Sequence, residues 1–122
     1  MKKHSPRFLR LVDDAKTRVG EISVKQVLAR RAAGEDIVIV DVREKNEWAA
    51  GHVKGAIHLG KGILERDIEK VIPSAKTDVV LYCGGGYRSA LAADSLLRMG
   101  YLSIFSLAGG WRAWLASRAP VV

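Results

Sequence analysis

The single cysteine of the chain, Cys83, is followed by three glycines, a tyrosine, an arginine and a serine in the segment YCGGGYRS. A cysteine thiolate is a nucleophile, and its pKa falls where a helix N-terminus or a nearby cation faces the sulfur. Glycine allows tight backbone turns. Arg88 adds a positive charge, because the guanidinium of arginine stays protonated in proteins. The segment therefore predicts a thiolate that attacks an anionic group centred on sulfur or phosphorus.

The residues on either side of this segment are expected to place Cys83 at the edge of a sheet. DVVLYC, residues 78–83, is typical of a buried strand, and a helix is predicted over 89–99 before Gly100. Ligands bind outside the carboxyl ends of parallel strands. A loop there can turn its N–H groups inwards and form an anion-binding nest at the positive end of a helix. The structural alternative is an inert cysteine beside a glycine-rich turn.

Strand and helix patterns alternate along the rest of the chain. Apolar spacing predicts helices over 7–19, 22–35, 44–50, 62–72 and 111–117, and apolar runs predict strands over 36–42, 56–59 and 102–107. Ser23 and Gln26 have the spacing of a capping box, and Gly34 is expected to end that helix. The alternation predicts one α/β domain over residues 21–122, with a mostly parallel central sheet and helices on both faces. A basic amphipathic helix in residues 1–20 is expected to precede it.

The net charge of +7 is concentrated in one region, since residues 1–34 hold nine Lys/Arg against three Asp/Glu. This region carries no series of aromatic residues and no nucleic-acid-binding motif, so we expect no nucleic-acid partner. No apolar run reaches the length of about 18 residues that spans a membrane, and no membrane association is expected. The first residues lack the continuous apolar segment of a secretory signal. With its lone cysteine, the chain is expected to be cytoplasmic.

Neither a metal nor an organic cofactor is expected. The glycine triplet does not fit the spacing of dinucleotide-binding loops, and the Gly-Lys-Ser/Thr pattern of phosphate-binding loops is missing from the sequence. The candidate metal ligands do not fall at the spacings of known sites. They are His4, His52, His58 and Cys83.

Four segments resemble, in order and over roughly residues 22–116, the single-domain rhodanese-like sulfurtransferases. They are DVREKNEW at 41–48, GHVKGAIHL at 51–59, YCGGGYRSALAA at 82–93 and LAGGWRAW at 107–114. The third matches the family's active-site pattern Cys-x-x-Gly-x-Arg-Ser. The resemblance implies the rhodanese-like fold, with a mostly parallel sheet between two layers of helices.

The resemblance also implies a mechanism in two covalent steps. Cys83 would attack the outer sulfur of a small anionic donor such as thiosulfate, release sulfite and keep the sulfur as a persulfide. The sulfur would then pass to cyanide, a cellular thiol or an acceptor protein.

Roles for further residues follow from the same resemblance. Arg88 would support the loop or attract the donor, and the neighbouring loop residues would surround the substrate. These neighbours are Gly84, Gly85, Gly86, Tyr87 and Ser89. Asp41 and Arg43 would brace the active-site loop, and the alternative is a buried salt bridge without a chemical role.

The length of the loop separates sulfur transfer from phosphate chemistry. Related cysteine-dependent phosphatases use Cys-x5-Arg, whereas four residues lie between Cys83 and Arg88 here. A non-enzymatic sulfur carrier or redox-sensing module is the main alternative, followed by a phosphatase or an arsenate reductase. Many members active on thiosulfate have a basic residue in the loop, so the three glycines leave the donor open.

Overall fold

The computed structural model describes residues 4–122. Helices and strands alternate along them. The helices are α1 (Pro6–Lys16), α2 (Val24–Ala32), α3 (Lys45–Ala50), α4 (Leu64–Val71), α5 (Tyr87–Arg98) and α6 (Gly110–Ala116). The strands are β1 (Gly20–Ile22), β2 (Ile37–Asp41), β3 (Ile57–His58), β4 (Asp78–Tyr82) and β5 (Ile104–Leu107).

The strands form one sheet in the order β1-β5-β4-β2-β3, and every strand pair is parallel. Because the strands run in one direction, their carboxyl ends lie along a single edge of the sheet, where Asp41, Cys83 and Leu107 follow or end three neighbouring strands. The predicted α/β class and the predicted sheet between helices are confirmed.

Apolar residues cover both faces of the sheet. On one face, residues of α4 and α5 such as Ile68 and Leu96 pack against Val79 and Leu81 of β4. On the other face, Val27 of α2 and Trp114 of α6 pack against Val80 of β4. A β-branched central strand buried on both sides is typical of parallel sheets, and this strand carries Cys83 directly after its last residue.

Several boundaries differ from the sequence prediction. Residues 20–22 were expected to lead into a helix, but they form an edge strand that pairs Gly20 with Phe105. Only Ile22 of this strand is buried, so the strand shows no alternation of apolar and polar residues in the sequence. Its pairing with β5 identifies it as a strand. The predicted capping box of α2 is confirmed, because the Ser23 hydroxyl accepts from the Gln26 amide at 3.1 Å and the Gln26 side chain accepts from the Ser23 amide at 2.8 Å.

The N-terminal helix α1 packs against α5. Its buried face holds Val12 and Ala15. Just beyond its end, Arg18 forms a two-pronged ion pair with Asp94 of α5, with N···O distances of 2.8 and 2.9 Å. Among residues 4–122, no helix has the length and apolar content needed to cross a membrane.

Candidate active site

Cys83 is held by hydrogen bonds from the first turn of α5. Its sulfur accepts from the Gly86 amide at 3.2 Å and from the Ser89 amide at 3.4 Å. The Ser89 hydroxyl lies 3.5 Å from the same sulfur and 2.8 Å from the hydroxyl of Ser106. The loop and the helix end therefore form the ring of donors that the sequence predicted around the thiol.

These donors change the acidity of the thiol. Burial raises the pKa of Cys83, because it removes water from the thiolate. The Ser89 hydroxyl, the Ser89 amide and the amides of Gly86 and Gly85 act in the opposite direction and outweigh burial, so the pKa of the thiol lies below its ordinary value. The lowered pKa increases the fraction of reactive thiolate near neutral pH.

Glycine occupies the three loop positions for different structural reasons. Gly86 has a φ of 98°, in the left-handed region that favours glycine, and its amide faces the sulfur. Gly84 and Gly85 have no such φ. A Cβ on Gly84 would lie 3.3 Å from the Arg88 side chain, and one on Gly85 would lie 3.6 Å from the Tyr87 ring. A side chain on either of these two glycines would therefore meet Arg88 or Tyr87, which line the space in front of the sulfur.

The N-terminus of α6 holds the carbonyls of the same loop. The Trp111 amide donates to the Cys83 carbonyl at 2.8 Å, and the Arg112 amide donates to the Gly84 carbonyl at 3.2 Å. A Cβ on Gly110, whose φ is 55°, would collide with the Cys83 carbonyl. This contact gives a steric reason for the second glycine of the segment LAGGWRAW.

Arg88 lies in the first turn of α5, which begins at Tyr87 and not at Ser89 as predicted. Its guanidinium forms two hydrogen bonds with the carboxylate of Glu47, at 2.8 and 3.2 Å. The bond from Arg88 lowers the pKa of Glu47 to about 2. The same bond, with a smaller contribution from the charge of Cys83, raises the pKa of Arg88.

Glu47 was not among the predicted site residues. It lies in DVREKNEW, the segment that supplied Asp41 and Arg43, and the position of its acidic side chain near the start of a helix was the available signal. Its pairing with Arg88 joins residues that are distant in sequence, and spacing alone does not reveal such a pair.

Asp41 and Arg43 form a buried ion pair, with 2.8 Å between Arg43 Nη2 and Asp41 Oδ2. The Tyr82 hydroxyl donates to Asp41 at 2.6 Å, and Arg43 also donates to the Gly51 carbonyl at 2.7 Å. The Arg43 guanidinium lies 4.7 Å from the centre of the Trp111 ring. The pair thus contacts the residue whose amide holds the Cys83 carbonyl, and it does not border the space in front of the Cys83 sulfur.

A pocket of about 380 Å³ opens in front of Cys83. The loop, α3, α5 and α6 contribute Cys83, Gly84, Gly85, Glu47, Tyr87, Arg88 and Arg112 to its lining. The N-terminal region adds His4 and Phe8, which the sequence did not connect with the site. No group of three or more potential metal-ligating side chains occurs among residues 4–122.

A cysteine in a ring of amides, at the carboxyl edge of a parallel sheet, defines a class of α/β domains with a hydrogen-bonded thiol at the mouth of a pocket. The family model of the rhodanese-like domain matches residues 23–117. The chain therefore belongs to the rhodanese-like family, as the four sequence segments predicted.

Two relatives carry names that agree with this family. A sulfurtransferase of Allochromatium vinosum is 35% identical over 104 residues, which cover 85% of this chain and 95% of that protein. The thiosulfate sulfurtransferase GlpE of Pseudomonas entomophila is 39% identical over 93 residues, covering 76% of this chain and 82% of the relative.

A similar solved structure covers the N-terminal helix as well. It is a protein of unknown function from Rhodopseudomonas palustris, described as a possible tyrosine phosphatase, with a TM-score of 0.88 and 28% identity. The match covers 100% of this chain and 99% of that protein.

Proposed function

We propose that this rhodanese-like protein is a sulfurtransferase that carries a sulfane sulfur on Cys83 from a donor such as thiosulfate to a thiophilic acceptor. The observation that carries the proposal is the ring of donors around the Cys83 sulfur. The names of the sulfurtransferase relatives support the same reaction class. Cyanide, a small thiol or a protein thiol is the proposed acceptor.

In the first step, the Cys83 thiolate attacks the outer sulfur of thiosulfate. A new S–S bond forms, the donor's S–S bond breaks, and sulfite leaves with the electron pair of that bond. In the second step, the acceptor attacks the outer sulfur of the persulfide and the Cys83 thiolate leaves. Negative charge stays on sulfur throughout, and the amides of Gly86 and Ser89 can stabilise it.

The other residues of the site have supporting roles in this proposal. Gly84 and Gly85 border the pocket in front of the sulfur, and Tyr87 and Arg88 form its side on α5. Asp41 and Arg43 position Trp111, whose amide holds the Cys83 carbonyl. They act as positioning residues because they do not border the space in front of the Cys83 sulfur.

Two observations favour sulfur transfer over phosphate hydrolysis. The loop has four residues between Cys83 and Arg88, one fewer than in cysteine-dependent phosphatases. The carboxylate that lines the pocket belongs to Glu47, which is ionised and bonded to Arg88. A carboxylate in that state is a poor general acid, because its pKa is far below neutral pH.

The cytoplasm is the proposed location, because a lone nucleophilic thiol requires a reducing compartment to stay available. Cys83 is the only cysteine in the sequence, so it has no partner for an internal disulfide.

Mass spectrometry of the intact protein tests the proposal directly. After incubation with thiosulfate, the protein is expected to gain one sulfur atom, which cyanide removes as thiocyanate. Cys83→Ser should gain none, because the sequence contains no other thiol. Loading without catalytic turnover would favour the carrier or sensor alternative, and sulfur transfer by Cys83→Ser at the parent rate would exclude the mechanism.

A second test addresses the acidity of the thiol. Ser89→Ala removes the hydroxyl bonded to the sulfur, so the pKa of Cys83 should rise by up to about one unit. The rate of iodoacetamide alkylation against pH measures this shift, because the thiolate is the reactive form. Ser117→Ala, whose hydroxyl donates to the Ala113 carbonyl, is the matched control. Equal profiles for the parent and Ser89→Ala would contradict the assigned role of the hydroxyl.

A further inference from the structure

We propose that Ser106 is a positioning residue of the active site, whose buried hydroxyl directs the hydroxyl proton of Ser89 onto the Cys83 sulfur. Ser106 does not line the pocket in front of the sulfur, so it acts through Ser89. In the sequence it is one residue of the strand predicted over 102–107. The inference rests on the proposed sulfur transfer and adds a residue that supports the reactive thiol.

The sheet places Ser106 beneath the start of α5. Ser106 lies in β5, between β1 and β4, and is fully buried. Alternate residues of a strand share a face, and Ile104, two residues earlier, packs in the apolar cluster that contains Cys83 and Ala93 of α5. A hydroxyl on this face is costly unless it is hydrogen-bonded. Its bond to the Ser89 hydroxyl, at 2.8 Å, meets that need.

The bonding of the two hydroxyls determines where their protons lie. The Ser106 hydroxyl has one hydrogen-bond partner among residues 4–122, the Ser89 Oγ. The Ser89 Oγ also lies 3.5 Å from the Cys83 sulfur. A serine hydroxyl donates one proton and can accept two, and a buried donor without an acceptor is unfavourable. The Ser106 proton therefore lies on the Ser89 Oγ, and the Ser89 proton is directed to the sulfur.

This arrangement suits a thiolate better than a thiol. A thiolate has no proton and only accepts, so both hydroxyl protons find an acceptor in the series Ser106, Ser89 and Cys83. If the thiol donated its own proton to the Ser89 Oγ, one of the two hydroxyl protons would lose its acceptor. The thiolate is the form that attacks the donor and the form that leaves in the second step. The same hydrogen bonds therefore assist both steps, and no proton is transferred in either.

The acidity of Cys83 agrees with this role. Burial raises the pKa of the thiol, and the Ser89 hydroxyl is the largest of the contributions that lower the pKa below its ordinary value. Hydrogen bonds in a series polarise one another and strengthen each by roughly 10–30%. Ser106 thus strengthens the bond from Ser89 to the sulfur and also fixes its direction, because a free hydroxyl would rotate.

Iodoacetamide alkylation of Cys83 across pH tests the inference without a sulfur donor. Ser106→Ala keeps Ser89 but removes the bond that directs its proton, so the pKa of the thiol should rise by about 0.3–0.5 unit. Below that pKa the alkylation rate should fall about twofold to threefold, and well above it the rates should converge. Ser103→Ala removes a hydroxyl bonded to Asp78 just before β5, and it should leave the profile unchanged.

A double variant separates an effect through Ser89 from a general effect of the core. If Ser106 acts through Ser89, adding Ser106→Ala to Ser89→Ala should cause no further shift, because the hydroxyl to be directed is already gone. Independent contributions would add. Ser106→Thr keeps a hydroxyl at the position and should retain the parent profile.

Equal profiles for Ser106→Ala and the parent, an additive shift in the double variant, or a Ser106→Thr profile like that of Ser106→Ala would overturn the inference. The expected shifts in a protein that transfers no sulfur would support the role of Ser106 at the thiol and refute the proposed function. Sulfur transfer by the parent without a shift in Ser106→Ala would refute the inference alone. Circular dichroism shows whether each variant retains the fold, and alanine needs no more space than serine.

Discussion

Two arginine–carboxylate pairs lie near the active-site loop, and their surroundings differ. In the Asp41–Arg43 pair, the side chains are 0% and 4% exposed, and both make further bonds within the core. In the Glu47–Arg88 pair, the side chains are 33% and 35% exposed and line the pocket. The comparison shows one kind of ion pair in two situations, where one is bonded within the core and the other sets the charge beside the pocket.

The difference in burial predicts a difference in stability. Removing one partner of a buried pair leaves a charge without compensation and typically costs about 3–5 kcal/mol. A pair that water reaches contributes about 0–1 kcal/mol. Matched neutral variants of the two carboxylates can therefore test the comparison directly.

The largest effect is expected for Asp41→Asn. It leaves the buried Arg43 guanidinium without its counter-charge, so the free energy of unfolding should fall by about 3 kcal/mol or more. Urea denaturation measures this change, and a constant m-value shows that it reflects stability. Asp36→Asn, at an exposed position before β2, is the control. A loss below about 1 kcal/mol would place the buried pair in the same category as the exposed one.

An intermediate effect is expected for Tyr82→Phe. The Tyr82 hydroxyl donates to Asp41 at 2.6 Å and accepts from the Val53 amide at 3.1 Å. Its removal leaves a buried amide without a partner, so the free energy of unfolding should fall by about 1–3 kcal/mol. The same urea experiment applies, and Tyr87→Phe, in the pocket, is the comparison. Equal stability of Tyr82→Phe and the parent would show that the buried pair does not depend on this hydroxyl.

The smallest change in stability is expected for Glu47→Gln, within about 1 kcal/mol of the parent. The variant should instead lower KM for thiosulfate by about twofold to fivefold, because the charge of Arg88 is no longer balanced beside the pocket. Added salt should reduce this gain by screening. A loss of several kcal/mol, with no change in KM, would reverse the assignment of the two pairs.

The pH dependence of the same variant sharpens the comparison. The pKa of Glu47 is lowered to about 2 in the folded protein, against about 4.3 for an ordinary glutamate, and screening by water at this partly exposed pair keeps the resulting stabilisation within about 1 kcal/mol. The stabilisation from a lowered carboxylate pKa is complete above the unfolded value and is lost as the pH falls through the folded one. The difference in unfolding free energy between the parent and Glu47→Gln should therefore be constant above about pH 4.3 and shrink towards about pH 2. A difference that already declines between pH 7 and pH 5 would contradict the pairing with Arg88.

The features that depend on residues close together in the sequence could be predicted from it. The alternation of apolar runs gave the α/β class, the spacing of Ser23 and Gln26 gave the start of α2, and the glycines gave the position of the loop behind Cys83. The boundary of α5 was placed too late, because Tyr87 and Arg88 were assigned to the loop.

The features that depend on tertiary contacts could not be predicted in this way. Glu47 reaches Arg88 only because α3 and α5 meet beside the pocket. β1 is identified by its pairing with β5, because its three residues show no apolar alternation typical of a strand. The basic N-terminal helix was predicted over residues 1–20, but the sequence did not indicate which helix it contacts; its packing against α5 brings Phe8 to the pocket in front of Cys83. Each of these pairings joins segments that are far apart along the chain.

The pairing of β1 with β5 has a consequence for the order of events during synthesis on the ribosome. β1 lies near the beginning of the chain and finds its partner in Ile104–Leu107, near the end. Such long-range parallel pairing is slow, because loop closure must precede any stabilising contact. The central strands β2 and β4 can pair earlier than β1 and β5. β1 emerges before β2 and β4 and is thus among the last strands to pair, so the helix that precedes it, α1, stays attached to an unpaired strand until β5 has formed.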